Sequence, residues 1–219
     1  MIRRAPVAVL LSGRGSNLQA LLDATGQPEF PAEIVRVISN VPGAGGLERA
    51  AAAGVPTMVV SHRDRSREAF ETALLDALAE GPWPEWVLLA GFMRVLGATF
   101  LAAFPGRVLN IHPALLPAFP GLHGPAQALA AGVVQAGATV HVVDAGVDTG
   151  PILAQGSVPV HGDDDEARLA ARILQLEHRL FPMVLRQAAE GRITVAGRRA
   201  EVRLAPGETR WLVAPPDMP

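Results

Sequence analysis

VAVLLSGRGSNLQALL, residues 7–22, runs an unbroken apolar stretch into a glycine turn and then into leucines at helical spacing. Val7 to Leu11 shows no polar face, as a strand buried on both sides of a parallel sheet requires. Leu18, Leu21 and Leu22 fall on one helix face, and Ser16 with Gln19 forms a capping-box pattern that starts the helix at Ser16. A chain that passes from a strand through Gly13, Arg14 and Gly15 into a helix leaves N–H groups unpaired at the positive end of the helix dipole. Such an end suits a phosphate. The turn is not a G-x-G-x-x-G fingerprint, because Leu18 stands at the third glycine position, and it is not a Walker A loop. An ordinary tight turn between strand and helix has the same pattern.

The strand-then-helix unit repeats. Ile34–Ser39 reads as a strand, Asn40–Gly46 as its exit loop and Leu47–Ala53 as an alanine-rich helix. Thr57–Val60 is a short strand. Ser66–Ala79 is a helix that gathers Ala69, Phe70, Ala73, Leu74 and Ala77 on one face before Gly81 and Pro82 end it. Trp86–Ala90 is a strand, Thr99–Phe104 a short helix and Arg107–His112 another strand. This alternation predicts an α/β fold, a Rossmann-like doubly wound, mostly parallel sheet with right-handed crossovers. The pattern then changes. Prolines 113, 117, 120 and 125 make Pro113–Pro125 a stiff loop of a length that is usually functional. Helix Ala126–Ala131 follows, then strands Ala138–Val143 and Ile152–Val160, close enough to form a hairpin and carry the sheet into a mixed, partly antiparallel extension. A long helix over Glu166–Glu190 and short strands at Ile193–Val195 and Val202–Leu204 precede a proline-rich end. No repeat or linker divides the chain, so residues 1–219 read as one domain, with 1–112 as a nucleotide-binding-like half.

With 219 residues, 49% of them hydrophobic, the chain can bury one sizeable core. Its net charge of -2 lacks the basic excess that nucleic-acid binding favours. Cysteine is absent, which excludes disulfides, thiolate ligands and a cysteine nucleophile and fits a reducing cytoplasm. All 19 basic residues are arginine, which excludes a lysine Schiff base and a Walker lysine. Arg3 and Arg4 before the apolar Ala5–Leu11 imitate a signal peptide, but the run is short and lacks a small-x-small cleavage pattern, so it reads as the first strand. No apolar run nears the roughly 18 residues that span a bilayer. Small-molecule partners, with neither nucleic acid nor membrane, fit these limits; a monomer and a homodimer fit equally.

Asn110 and His112 share one face of their strand, while Leu109 and Ile111 share the other. Pro113 donates no backbone hydrogen bond and ends the ladder, so His112 stands at a strand's carboxyl end, where open α/β sheets hold ligands. The exit of the Trp86 strand, Gly91-Phe92-Met93-Arg94-Val95-Leu96, sets an arginine among apolar residues and suits a flat aromatic ligand. Drawn this way, the Gly15 turn, the Arg94 loop and the Asn110/His112 pair share one cleft. Asparagine supplies a neutral donor and protonated histidine a charged one to an oxygen acquiring negative charge. Histidine also moves protons near neutrality. A carboxylate such as Asp148 beside His112 would orient the ring and favour its protonated form. With no covalent nucleophile in view, direct transfer of an acyl-type group fits; the plain alternative is a strand end whose histidine merely bonds a loop. No metal is expected. Asp144 and Asp148 lack the further ligands of a calcium loop, and Asp163, Asp164, Asp165 and Glu166 complement the start of the long helix. On that helix Glu177 falls near Leu174, Phe181 and Val184, from which it either reaches inward or stands in solvent.

The segments GRGSNLQAL (13–21), SN (39–40), GLERA (46–50), LAGFMR (89–94), LNIHPALLP (109–117) and DTGPI (148–152) resemble the phosphoribosylglycinamide formyltransferase family nearly end to end. The resemblance implies the formyltransferase fold, with folate-site loops after residue 113. It implies transfer of a formyl group from 10-formyltetrahydrofolate, as co-substrate, to the amine of glycinamide ribonucleotide in purine synthesis. Carried onto matching positions, Asn110, His112 and Asp148 would be catalytic. Gly15, Ser16 and Asn17 would hold the nucleotide phosphate and its neighbours, and Glu177 would lie near the substrate amine. Arg67, Met93, Arg94, Val95 and Leu96 would border the folate, with the backbone around Val143, Asp144 and Asp148. Two stretches depart from the family pattern: Gly124-Pro125-Ala126-Gln127 is less polar and the 161–166 loop more acidic. Rival readings are formyltetrahydrofolate hydrolase, which adds a regulatory domain before the first strand, methionyl-tRNA formyltransferase, which adds a basic C-terminal domain, and a non-catalytic nucleotide-binding module.

Overall fold

Strand β1 (Ala5–Leu11) divides its side chains between two cores: Val7, Val9 and Leu11 pack on one face of the sheet and Ala8 and Leu10 on the other, all fully buried. The structure, a computed structural model, describes residues 3–213. From β1 the chain alternates through α1 (Ser16–Thr25), β2 (Ala32–Ser39), α2 (Gly45–Ala52), β3 (Thr57–Val59), α3 (Arg67–Ala79), β4 (Trp86–Leu89), α4 (Ala98–Ala103) and β5 (Val108–His112). These five strands are parallel, in the order β5-β4-β1-β2-β3. The order reverses direction between β1 and β4, so their carboxyl ends open side by side, the place where such sheets bind ligands.

The chain continues through α5 (Gly124–Ala130), β6 (Gln135–Val142), β7 (Ile152–Pro159) and α6 (Glu166–Ala189). Strand β6 pairs antiparallel with both β5 and β7, which makes the sheet mixed on this side. One face is covered by α1 and α6 through Leu18, Leu21, Leu176, Leu180 and Phe181, the other by α3 and α4 through Phe70, Leu74 and Phe100. No helix among the described residues is long and apolar enough to cross a membrane.

The sequence-based boundaries shift where turn chemistry intervenes. Helix α5 begins at Gly124 rather than Ala126, because Pro125 suits a first helical turn and a Cβ at Gly124 would lie 2.8 Å from the Pro113 carbonyl oxygen. The strand expected at Val202–Leu204 is instead β9 (Arg199–Val202), paired with β8 (Ile193–Ala196) in a separate hairpin. Gly197, at φ 58°, leads its two-residue turn. A further strand, β10 (Trp211–Val213), runs parallel to β7 at the sheet edge; three residues after a polar stretch give too little periodicity to predict it. The proline-rich end expected at 214–219 lies outside the described residues, as do residues 1 and 2. Of the acidic cluster only Asp165 caps α6, accepting the Arg168 amide. Asp164 instead forms a buried two-pronged pair with Arg172 at 2.7 and 2.9 Å.

Candidate active site

The β5–β6 register sets His141 opposite Asn110 and Thr139 opposite His112. His112 is buried, with Nδ1 3.3 Å from Asp148 Oδ2 and Nε2 2.9 Å from the Phe119 carbonyl oxygen. Both ring nitrogens face acceptors, and only the imidazolium donates to both. Asp148 comes from the loop between β6 and β7, where its φ of 54° lies in the left-handed region that aspartate tolerates. Its Oδ2 also accepts the Gly121 amide at 2.8 Å. Its Oδ1 lies 3.5 Å from Asn110 Nδ2 and 3.5 Å from His141 Nε2. Burial pushes the Asp148 carboxyl up, but the polar groups around its two oxygens, the Gly121 amide and the His112 ring among them, outweigh it and hold the group below its ordinary value.

Asn110, His112, His141 and Asp148 line a cleft of about 380 Å³. Met93, Arg94, Val95 and Leu96 from the β4 exit line it too, with Val143, Asp144 and Val147 from the β6–β7 loop. Met93 remains 64% and Val147 51% exposed at its rim. A few convergent polar groups in apolar walls are what a flat, partly aromatic ligand needs. Asp144 shapes its loop, accepting the Thr149 hydroxyl at 2.7 Å and the Gly146 amide at 3.1 Å. Arg67 does not line the cleft. It opens α3, and its stem packs beside Gly97, where an added Cβ would lie 3.2 Å from Arg67 Cδ. Among the described residues no group of three or more His, Cys, Asp or Glu is placed to hold a metal ion.

The capping box expected at Ser16 does not form. Gly15, at φ 76°, is the N-cap and α1 has no side-chain cap, because Ser16 is already the first helical residue. The initial N–H groups of α1 therefore stay open to a ligand. A Cβ at Gly15 would lie 2.5 Å from Gly46 Cα, so the turn nests against the start of α2. Asn17 donates to Glu177 Oε2 at 2.6 Å, while Asn17 Oδ1 is buried without a hydrogen-bond partner among the described residues. Glu177 reaches inward and is buried; burial pushes its carboxyl up to about 7, which the Asn17 hydrogen bond only partly offsets.

The one cleft expected from the sequence brings together the Arg94 loop and the Asn110–His112 pair but not the glycine turn. Gly15, Ser16, Asn17 and Glu177 are absent from the lining of the 380 Å³ cleft. Strand β1 is two places from β5 in the sheet, roughly 10 Å, so only an extended ligand reaches from the glycine turn to His112. Three polar residues at this edge, Ser12, Asn40 and His141, show their part only in the structure. Ser12 accepts the Met93 amide at 2.8 Å and donates to Asn40 Oδ1 at 2.6 Å, tying the exits of β1, β2 and β4 together. His141 shares a β6 face with Thr139, a pattern visible in sequence, but its pairing with Asn110 depends on strand register.

Known proteins resemble this chain along most of its length. The chain is 50% identical over 204 residues, 90% of each chain, to the phosphoribosylglycinamide formyltransferase of Mycobacterium tuberculosis. It is 51% identical over 192 residues to the trifunctional purine biosynthetic protein adenosine-3 of Drosophila melanogaster; the match takes in 86% of this chain but 14% of that protein's length. The crystal structure of glycinamide ribonucleotide transformylase 1 from Symbiobacterium toebii superposes with a TM-score of 0.87 at 47% identity, covering 91% of this chain and 94% of that one. The formyl transferase family model matches residues 5–185. With the match running from the start of β1 to within the last turns of α6, the chain belongs to the formyl transferase family.

Proposed function

We propose that this protein transfers the formyl group of 10-formyltetrahydrofolate to the primary amine of phosphoribosylglycinamide, a step of purine synthesis. The observation that carries the reading is His112, held between the Asp148 carboxylate and a backbone carbonyl beside Asn110 in an apolar-walled cleft. In this reading Met93, Arg94, Val95, Leu96, Val143 and Asp144, which line the cleft, border the folate. The uncapped N–H groups after Gly15 hold the phosphate, and Glu177 with Asn17 faces the amine end, where Asn17 Oδ1 offers an unused acceptor. The two substrates meet between these groups.

The amine nitrogen attacks the formyl carbon, and the carbonyl electron pair moves onto oxygen. Asn110 and the His112 imidazolium donate to that oxygen as it becomes negative. Asp148 keeps His112 charged, and the proton lost by the amine travels through this group and water to the folate nitrogen as its bond to carbon breaks. In the free protein His112 Nε2 is engaged by Phe119, so an oxyanion contact through that nitrogen requires the Pro113–Pro125 loop to yield. The test is to mix protein and formyl-folate with and without the ribonucleotide and follow folate absorbance. Turnover that depends on the ribonucleotide supports the reading; turnover indifferent to it identifies a hydrolase, and no turnover with either overturns transfer.

A further inference from the structure

A primary amide presents NH₂ on one side and oxygen on the other, with nearly the same shape. As an oxyanion donor Asn110 must present NH₂, and an amide turned over would set oxygen against the forming charge. Something must fix its orientation. His141 stands directly across the β5–β6 ladder from Asn110 and is 2% exposed. Its Nε2 lies 3.1 Å from Asn110 Nδ2, and its Nδ1 lies 3.1 Å from the Val142 carbonyl oxygen. A carbonyl oxygen only accepts, and the Val142 oxygen at 3.1 Å from Nδ1 lies within hydrogen-bond range while Asp148 Oδ1, at 3.5 Å from Nε2, lies at its limit, so the hydrogen of a neutral His141 ring belongs on Nδ1, which leaves Nε2 as a lone-pair acceptor for the nearer Asn110 amide.

Charge balance points the same way. Asp148 is the carboxylate beside both rings, and its single charge balances one imidazolium, which the proposed mechanism assigns to His112. A second buried imidazolium would stand uncompensated, at high desolvation cost. From this geometry, and resting on the reading of Asn110 as an oxyanion donor, we infer that neutral His141 is the positioning residue for the Asn110 amide. It accepts one amide hydrogen and keeps NH₂ turned into the cleft. The second amide hydrogen is held by Asp148 Oδ1 at the longer distance of 3.5 Å, and this weaker bond is the one released to substrate oxygen.

The test compares H141F, which removes the acceptor, with H141Q, whose side-chain oxygen reaches the Nε2 position, each alone and combined with N110A. The expected result is a loss of roughly 10- to 100-fold in kcat for H141F, the range seen when an orienting partner is removed. KM values should stay within about threefold, H141Q should recover most of the loss, and H141F should cause no further loss in the N110A background. Nitrogen NMR of the wild-type ring should report the neutral tautomer with hydrogen on Nδ1, a readout independent of variant folding. An undiminished kcat in H141F, an equal further loss on top of N110A, or a ring carrying hydrogen on Nε2 overturns the inference. N110A with wild-type kcat would instead overturn the oxyanion reading beneath it.

Discussion

Replacing Asp148 by asparagine removes one charge while nearly preserving shape. At the 3.3 Å separation from His112 Nδ1, a pair of unit charges interacts by about 5 kcal/mol at an effective dielectric of about 20. Solvent and relaxation reduce this to roughly 2–4 kcal/mol of support for the imidazolium. At 1.4 kcal/mol per tenfold, the expected loss in kcat is roughly 30- to 1000-fold. The new amide also has only one favourable orientation. Its oxygen must stay on the Gly121 amide and His112, where Oδ2 is now, so its NH₂ replaces Oδ1 and faces the Asn110 NH₂. Two donors then oppose each other. The assay is the initial rate of formyl transfer at saturating substrates, with thermal unfolding measured on the same sample. A folded D148N retaining more than about a third of wild-type kcat would refute the argument. The sign with pH also follows. A depressed carboxyl stabilises the folded chain above its ordinary pKa, and that contribution is lost as pH falls through the lower folded value, so D148N lacks this acid-side dependence.

Three other substitutions probe the surrounding frame. With its carboxyl near 7 in the fold against 4.5 ordinarily, Glu177 lowers stability as pH rises through that interval; E177Q should be stabler than wild type by about 3 kcal/mol at pH 8 and equal to it below pH 4, with a raised KM for the ribonucleotide, and a pH-independent difference would contradict this. D164A strands the buried Arg172 guanidinium and should lose roughly 3–5 kcal/mol in urea unfolding at pH 7. Because Asp164 is held near 2, its contribution is present above 3.8 and fades as pH falls towards 2; a loss below 1 kcal/mol at pH 7 would count against the buried pair. G15A forces a side chain into φ 76° and against Gly46, so the melting temperature should fall and inorganic phosphate should protect the variant less than wild type; equal protection would remove the phosphate seat from the turn.

Much of this architecture is legible in the chain because buried parallel strands and one-sided helices carry strong periodicities. The Val7–Leu11 run, the leucines of α1 and the long face of α6 each announce their element. The Asn110–His112 pair is equally legible, since period 2 and a following proline fix both face and position. What the sequence does not carry is long-range register. Nothing local says that His141 will stand across from Asn110, that Ser12 will bond the Met93 amide, or that Asp164 will choose Arg172 over capping a helix. The misplaced cap at Ser16 has a local cause: Gly15 takes a left-handed conformation open to few other residues, which moves the helix boundary back by one residue and leaves its N–H groups free. The separation of the Asn17–Glu177 pair from the cleft follows from strand order, which a list of strands does not supply.

In the proposed mechanism His112 serves the chemistry rather than ligand capture. This role is tested most directly by measuring, on one preparation of H112A, calorimetric binding of each substrate and the rate of formyl transfer. Dissociation constants should stay within about threefold of wild type while the transfer rate falls by at least roughly 10²-fold, the effect of losing one oxyanion donor. Wild-type transfer by the folded variant, or a defect confined to binding, would contradict that role.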